Sequence, residues 1–125
     1  MKKNLFYAIL LTCLNLGIAK AQVTDLNLEK FVEKIKTTPK HQLLDVRTPR
    51  EWEQGKIATS NCINYQDVDF KDQIKKLDKS QAVFVYCAAG GRSANASKIL
   101  EKEGFKKIYN LSGAGYSQLA ASGVK

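Results

Sequence analysis

Ala82-Val83-Phe84-Val85-Tyr86-Cys87-Ala88-Ala89-Gly90-Gly91-Arg92-Ser93 decides the fold. Its first five residues are all apolar or aromatic and two are β-branched. That pattern predicts a strand buried on both faces of a parallel sheet. A cysteine leaves the strand, small residues follow, and helical spacing then runs from about Ser93 to Glu103. Ala96, Ile99 and Leu100 form its inner side, and Gly104 ends it. Sites in open α/β sheets form outside the carboxyl ends of the strands, which is where Cys87 stands.

The same alternation extends in both directions. Upstream, Leu28, Phe31, Val32 and Ile35 predict a helix over 28–37, capped by Asn27 and ended by Pro39. Residues 42–46 read as a short buried strand. Thr48, Pro49 and Glu51 make a capping box with proline at the first helical position, and Gly55 stops that short helix. Residues 62–65 read as a strand and 70–77 as a helix with Phe70, Ile74 and Leu77 on one side. Downstream, residues 107–111 form a further strand, Ser112-Gly113-Ala114-Gly115 a loop, and a last short helix follows. Alternating strands and helices predict a three-layer α/β domain with a mostly parallel central sheet flanked by helices.

The loop after Tyr86 carries the chemistry. Gly90 and Gly91 let the chain curl tightly with its N–H groups inward. With the positive end of the following helix they make an anion cradle. A thiol held there loses its proton more easily and becomes a nucleophile near neutral pH. Ala88 and Ala89 leave access open. Arg92 is expected to hold an anionic donor by its fixed charge.

The chain has 125 residues, 44% of them hydrophobic and 26% charged, enough for one domain with one core. This excludes a multidomain enzyme, a disordered tail protein and a disulfide-dense miniprotein. The start is distinct. Lys2 and Lys3 precede an apolar run from Leu5 to Leu11, and Ala19-Lys20-Ala21 is a small-x-small site. That order predicts a secretory signal peptide over 1–21, a domain over 22–125, and a periplasmic or secreted protein. Thr12, Asn15 and Gly17 break the run short of a membrane span, so no stable insertion is expected after cleavage. Leu10-Leu11-Thr12-Cys13 also resembles a lipobox, which keeps lipid attachment at Cys13 as a minor alternative.

Losing Lys2, Lys3 and Lys20 lowers the formal charge from +8 to +5. The remaining lysines are interleaved with acidic residues. They read as a solvated basic surface rather than a nucleic-acid site. Cys62 and Cys87 remain in the domain; they could pair as a disulfide, but the surroundings of Cys87 argue for a reactive thiol. With His41 as the single histidine, a four-ligand zinc site is not expected.

Cys-x-x-Gly-x-Arg-Ser after a valine-rich strand resembles the active-site loop of single-domain rhodanese-like sulfurtransferases. Leu43-Leu44-Asp45-Val46-Arg47 through Gly55-Lys56-Ile57 resembles that family's early motif, and residues 107–113 its final strand and glycine turn. The resemblance covers about residues 26 to 123. Lys56 replaces the usual histidine of Gly-His-Ile, Ala114 replaces a glycine, and Gln118 stands where tryptophan is usual.

The resemblance implies transfer of a sulfane sulfur through a Cys87 persulfide, without metal or organic cofactor. The partners implied are a small anionic sulfur donor such as thiosulfate and a thiol or cyanide acceptor. It also implies that Asp45 and Arg47 form a supporting structural link. Three alternatives stay open: a sulfur carrier or partner-binding module without turnover, a Cys-based phosphatase, and a thiol redox protein using Cys62 with Cys87. Four residues lie between Cys87 and Arg92, where the phosphatases of similar fold carry five. Trp52 is expected in the core, Cys62 in a small buried position, and His41 at the surface.

Overall fold

The computed structural model describes residues 21–125. The expected leader, with Cys13, falls in residues 1–20, outside the described part. Five strands form one sheet: β1 (Gln22–Leu26), β2 (His41–Asp45), β3 (Asn61–Cys62), β4 (Ala82–Tyr86) and β5 (Lys107–Leu111). They lie in the order β1-β5-β4-β2-β3. Every pairing is parallel. The helices are α1 (Leu28–Thr37), α2 (Pro49–Glu53), α3 (Phe70–Ile74), α4 (Gly91–Lys102) and α5 (Tyr116–Ala121).

β4 is central because its sequence can be buried on both sides. Val83, Val85 and Cys87 face one layer, with Phe70, Ile74, Ala96 and Leu100 from α3 and α4. Ala82, Phe84 and Tyr86 face the other, with Phe31 and Ile35 from α1 and Leu119 from α5. The alternation of side chains along a strand makes this division. Phe84 is fully buried, edge-on to Phe31 at 5.3 Å and stacked on Tyr109 at 4.8 Å. Deleting such a ring costs about 3–5 kcal/mol.

Local signals place the helix ends. Asn27 accepts a hydrogen bond from the Lys30 N–H at 2.9 Å and starts α1. Thr48 and Glu51 form both halves of the capping box of α2, with Pro49 at its start. Gly90, at φ +104°, turns the chain into α4 in the left-handed region that favours glycine.

Several expectations need correction. The strand expected over 62–65 is two residues long, Asn61–Cys62, and the helix expected over 70–77 is regular only to Ile74. α4 starts at Gly91, two residues before Ser93, because Gly90 makes the turn. Strand β1 was not expected. Its sequence has a weak apolar pattern and an exposed edge, and pairing with β5 over all five residues makes it a strand. Trp52 is half-buried rather than in the core, since α2 has no fully buried residue. Cys62 is half-buried on the edge strand. His41 is half-buried too: its ring packs edge-on to Phe84 and its Nδ1–H donates to the Thr38 carbonyl at 2.6 Å.

Candidate active site

The carboxyl end of β4 delivers Cys87 to the start of α4. The side chain is buried, 1% exposed, while Ala88 and Ala89 beside it are exposed. The loop closes over the sulfur. The Gly90 N–H donates to Cys87 Sγ at 3.0 Å. Ser93 Oγ lies 3.5 Å from the same sulfur and donates to the Gly90 carbonyl at 3.1 Å. Ser93 is fully buried in the first turn of α4, and Ser97 Oγ donates to its carbonyl at 2.7 Å.

Burial pushes the Cys87 thiol up. Hydrogen bonds from the Ser93 hydroxyl and amide and from the Ala89 and Gly90 amides outweigh it, and the net shift is downward. In the thiol form the S–H points at Ser93 Oγ; in the thiolate form the Ser93 hydroxyl turns and donates to sulfur. The loop therefore supplies several donors to one anion, the arrangement that favours a thiolate or a persulfide terminus.

A second loop braces the first. The Tyr116 N–H donates to the Cys87 carbonyl at 2.8 Å. A Cβ on Gly115 would stand 1.8 Å from the Ala88 carbonyl oxygen, so only glycine allows the two backbones this close. Gln118 Oε1 accepts from the Gly115 N–H at 2.9 Å. Neither Gly115 nor Gln118 was expected at the site. Glycine after the last strand was visible in the sequence, but what it approaches was not.

Asp45 and Arg47 form the expected structural link. Arg47 Nε and Nη2 donate to both carboxylate oxygens at 2.8–3.1 Å, and both residues are buried. Nη2 also donates to the Gly55 carbonyl at 2.9 Å, and the guanidinium lies 3.9 Å from the centre of the Tyr116 ring. Removing one partner of such a buried pair costs about 3–5 kcal/mol.

Arg92 departs from expectation. Its Nη1 and Nη2 donate to Glu51 Oε1 and Oε2 at 2.7 and 2.9 Å. The guanidinium is taken by a carboxylate of this chain and is not presented free to an anion. Glu51 Oε1 also accepts from Thr48 Oγ1 at 3.0 Å and the Thr48 N–H at 3.3 Å. Arg92 and these Thr48 groups hold the Glu51 carboxyl down at about 2, and the same pair raises Arg92. Glu51 was expected only as a helix cap; its reach of 41 residues to Arg92 is a tertiary contact.

A cavity of about 330 Å³ beside the loop is lined by Arg47, Glu51, Gln54, Ala88, Tyr116 and Ser117. A larger one, about 630 Å³, lies where β4 and β5 begin, at Ala82 and Lys107, the opposite end from Cys87. Cys62 and Cys87 are both free. Cys62 is in register with Asp45, and Asp45 with Tyr86. Two strand spacings, about 10 Å, therefore separate Cys62 from Tyr86. Cys87, one residue further, points to the other face. A disulfide needs Cα atoms within about 7 Å, so this arrangement does not support Cys62 as a resolving thiol. Among the described residues no group of acidic, histidine or cysteine side chains is placed to hold a metal.

The rhodanese-like domain family matches residues 27–121. The chain belongs to that family. It is 33% identical to a protein named thiosulfate sulfurtransferase 16, chloroplastic, of Arabidopsis thaliana, over 67% of this chain and 78% of that protein. It is 28% identical to a protein named sulfurtransferase of Allochromatium vinosum, over 73% of this chain and 83% of that one. Among solved structures, a rhodanese-related protein of Thermoplasma volcanium superposes with a TM-score of 0.65 at 31% identity, covering 81% of this chain and 94% of that one. Other curated relatives are longer. The chain spans 48% and 57% of two Bacillus subtilis proteins and 24% of a Pelagibacter ubique protein named tRNA uridine(34) hydroxylase.

Proposed function

We propose that this rhodanese-like domain is a sulfurtransferase with Cys87 as its covalent carrier. The Cys87 thiolate attacks the sulfane sulfur of a donor such as thiosulfate. The donor's S–S bond breaks, its electron pair leaves on sulfite, and Cys87 holds a persulfide. A thiol or cyanide then takes the outer sulfur and the thiolate returns. The observation that carries this reading is the Gly90 N–H 3.0 Å from a buried Sγ, with Ser93 behind it. Those donors suit a small anion on sulfur. The four residues between Cys87 and Arg92, one fewer than in the phosphatases of similar fold, weigh against a phosphatase. The names of the Arabidopsis and Allochromatium relatives agree with sulfur transfer.

A carrier that passes sulfur to one partner without small-molecule turnover is the second reading. A Bacillus subtilis relative named putative sulfur carrier protein YrkF, 28% identical over 73% of this chain, favours it. Mass spectrometry of the reduced protein after thiosulfate treatment tests both readings. We expect one added sulfur on the peptide containing Cys87, released by cyanide, and none in a folded Cys87→Ser variant. Loading without release by cyanide identifies the carrier. A wild-type protein that takes up no sulfur from any sulfane donor overturns the sulfur-transfer reading.

Export with cleavage after Ala21 is part of the proposal. Its support is the order of Lys2 and Lys3, the apolar run and Ala19-Lys20-Ala21, and the start of β1 at Gln22, the residue that would follow the cut.

A further inference from the structure

Arg92 of the Cys87 loop and Arg47 of the adjoining cavity wall are both paired with carboxylates of this chain. Arg47 is held by Asp45 in the interior, and Arg92 by Glu51 at the rim of the 330 Å³ cavity. That cavity has no lysine in its wall. The Gly90 N–H donates to the Cys87 sulfur at 3.0 Å, and Ser93 Oγ lies 3.5 Å from it. An approaching donor therefore meets a thiolate with no uncompensated positive side chain from either arginine. Coulomb repulsion between the thiolate and a dianion is twice that with a monoanion at the same distance.

We propose that Glu51 is a specificity-determining residue, which withdraws Arg92 from the substrate and selects singly charged alkyl persulfides over dianionic thiosulfate as donors. The inference rests on the sulfur-transfer reading and names its preferred donor class. Glu51 acts through Arg92 and does not itself touch the reacting sulfur. It is held in place independently of that pair, because Thr48 Oγ1 and the Thr48 N–H also donate to Oε1. The capping box thus anchors the carboxylate, and the carboxylate anchors the arginine.

The favoured step balances without an added oxidant or reductant. The Cys87 thiolate attacks the outer sulfur of R–S–S⁻. The S–S bond of the donor breaks, its electron pair leaves on R–S⁻, and Cys87–S–S⁻ remains. With thiosulfate the leaving group is sulfite, and three negative charges rather than two crowd the loop before and after transfer.

The experiment compares two donors, thiosulfate and 2-hydroxyethyl persulfide, on wild-type protein and on Glu51→Gln. Glutamine keeps an oxygen for Thr48, so the cap is preserved. Its amide cannot form the charged pair, which releases Arg92. Wild type should load Cys87 from the persulfide at least about tenfold more efficiently in kcat/KM. Glu51→Gln should move the thiosulfate-to-persulfide ratio of kcat/KM toward thiosulfate by about tenfold, the loss or gain of one charged hydrogen bond. A merely structural Glu51 would lower both rates and leave the ratio where it was, and that result overturns the proposal. So does a wild-type preference for thiosulfate, which needs no variant to observe. If wild type is loaded by neither donor, the sulfur-transfer reading itself has failed, an outcome separate from an unchanged ratio.

Discussion

Cys87 shows how much one sulfur can be changed by its neighbours. Burial alone would keep it protonated, yet the Ser93, Ala89 and Gly90 donors bring its pKa below that of an ordinary thiol. The thiolate population, and with it alkylation by iodoacetamide, should therefore rise with pH at lower values than for a free thiol. Ser93→Ala removes the largest of the lowering contributions and leaves the loop amides. Its alkylation midpoint should move to higher pH, with sulfur loading at neutral pH falling about tenfold for the lost hydrogen bond to a charged group. An unchanged midpoint in the folded variant would mean that the amides alone hold the anion. For linkage, a group whose folded pKa is lowered adds stability above its unfolded value, and that stability is lost as pH falls. Glu51, held at about 2, follows the same sign in the acid range, between its ordinary value and about pH 2.

At the level of elements, the site is a junction of two turns, one after β4 and one after β5. Parallel strands place both turns at the same end of the sheet, and the register Val85 to Asn110 brings them side by side. Gly115 is the point of contact. Its φ of −151° is ordinary extended backbone, so the requirement for glycine is one of space and not of conformation. Gly115→Ala places a Cβ against the Ala88 carbonyl and must push the Cys87 loop away from the turn that braces it. We expect sulfur loading to fall by at least about tenfold with destabilisation of about 1–3 kcal/mol from overpacking. Circular dichroism and urea unfolding measure the second, and the persulfide mass shift the first. Full loading in this variant would show that the bracing turn is irrelevant to the chemistry. The capping box of α2 illustrates a different economy: a local motif legible in four residues also positions Glu51 for a partner 41 residues away.

On the scale of the whole molecule, the domain begins where the leader is expected to end. Gln22 pairs with Lys107, the Gln22 N–H donates to the Lys106 carbonyl at 3.2 Å, and β1 then runs in register with β5 to Leu26 and Leu111. A cut after Ala21 spares this ladder, whereas a cut two or three residues later would strip hydrogen bonds from the edge of the sheet. Amino-terminal sequencing of protein recovered from an expressing bacterium should therefore start at Gln22, in the exported fraction. A mature chain that retains Lys2 and Lys3, or one that starts inside β1 and is equally stable, contradicts this reading.

The sequence by itself determined the layers and the place of Cys87 at the carboxyl end of the central strand. β4 was legible to the residue because a strand buried on both faces must be apolar throughout or nearly so, and Cys87 followed from its place after β4; β5, with Lys107 exposed and Asn110 polar, kept its expected bounds between Gly104 and the turn at Gly113. Asn27, Thr48 and Glu51 announced their helices because capping is a matter of groups three residues apart. The tertiary structure alone decided the rest. β1 has too little apolar pattern to declare itself and exists by pairing with β5. β3 is short because only Asn61 and Cys62 stay in register with β2. The partner of Arg92 is Glu51, the wall that Gly115 must fit is Ala88, and Cys62 stands two strands from Tyr86. Each of these depends on which distant backbone comes within a few ångströms. Local periodicity and capping carry no information about that, since the approach is set by the order of strands in the sheet.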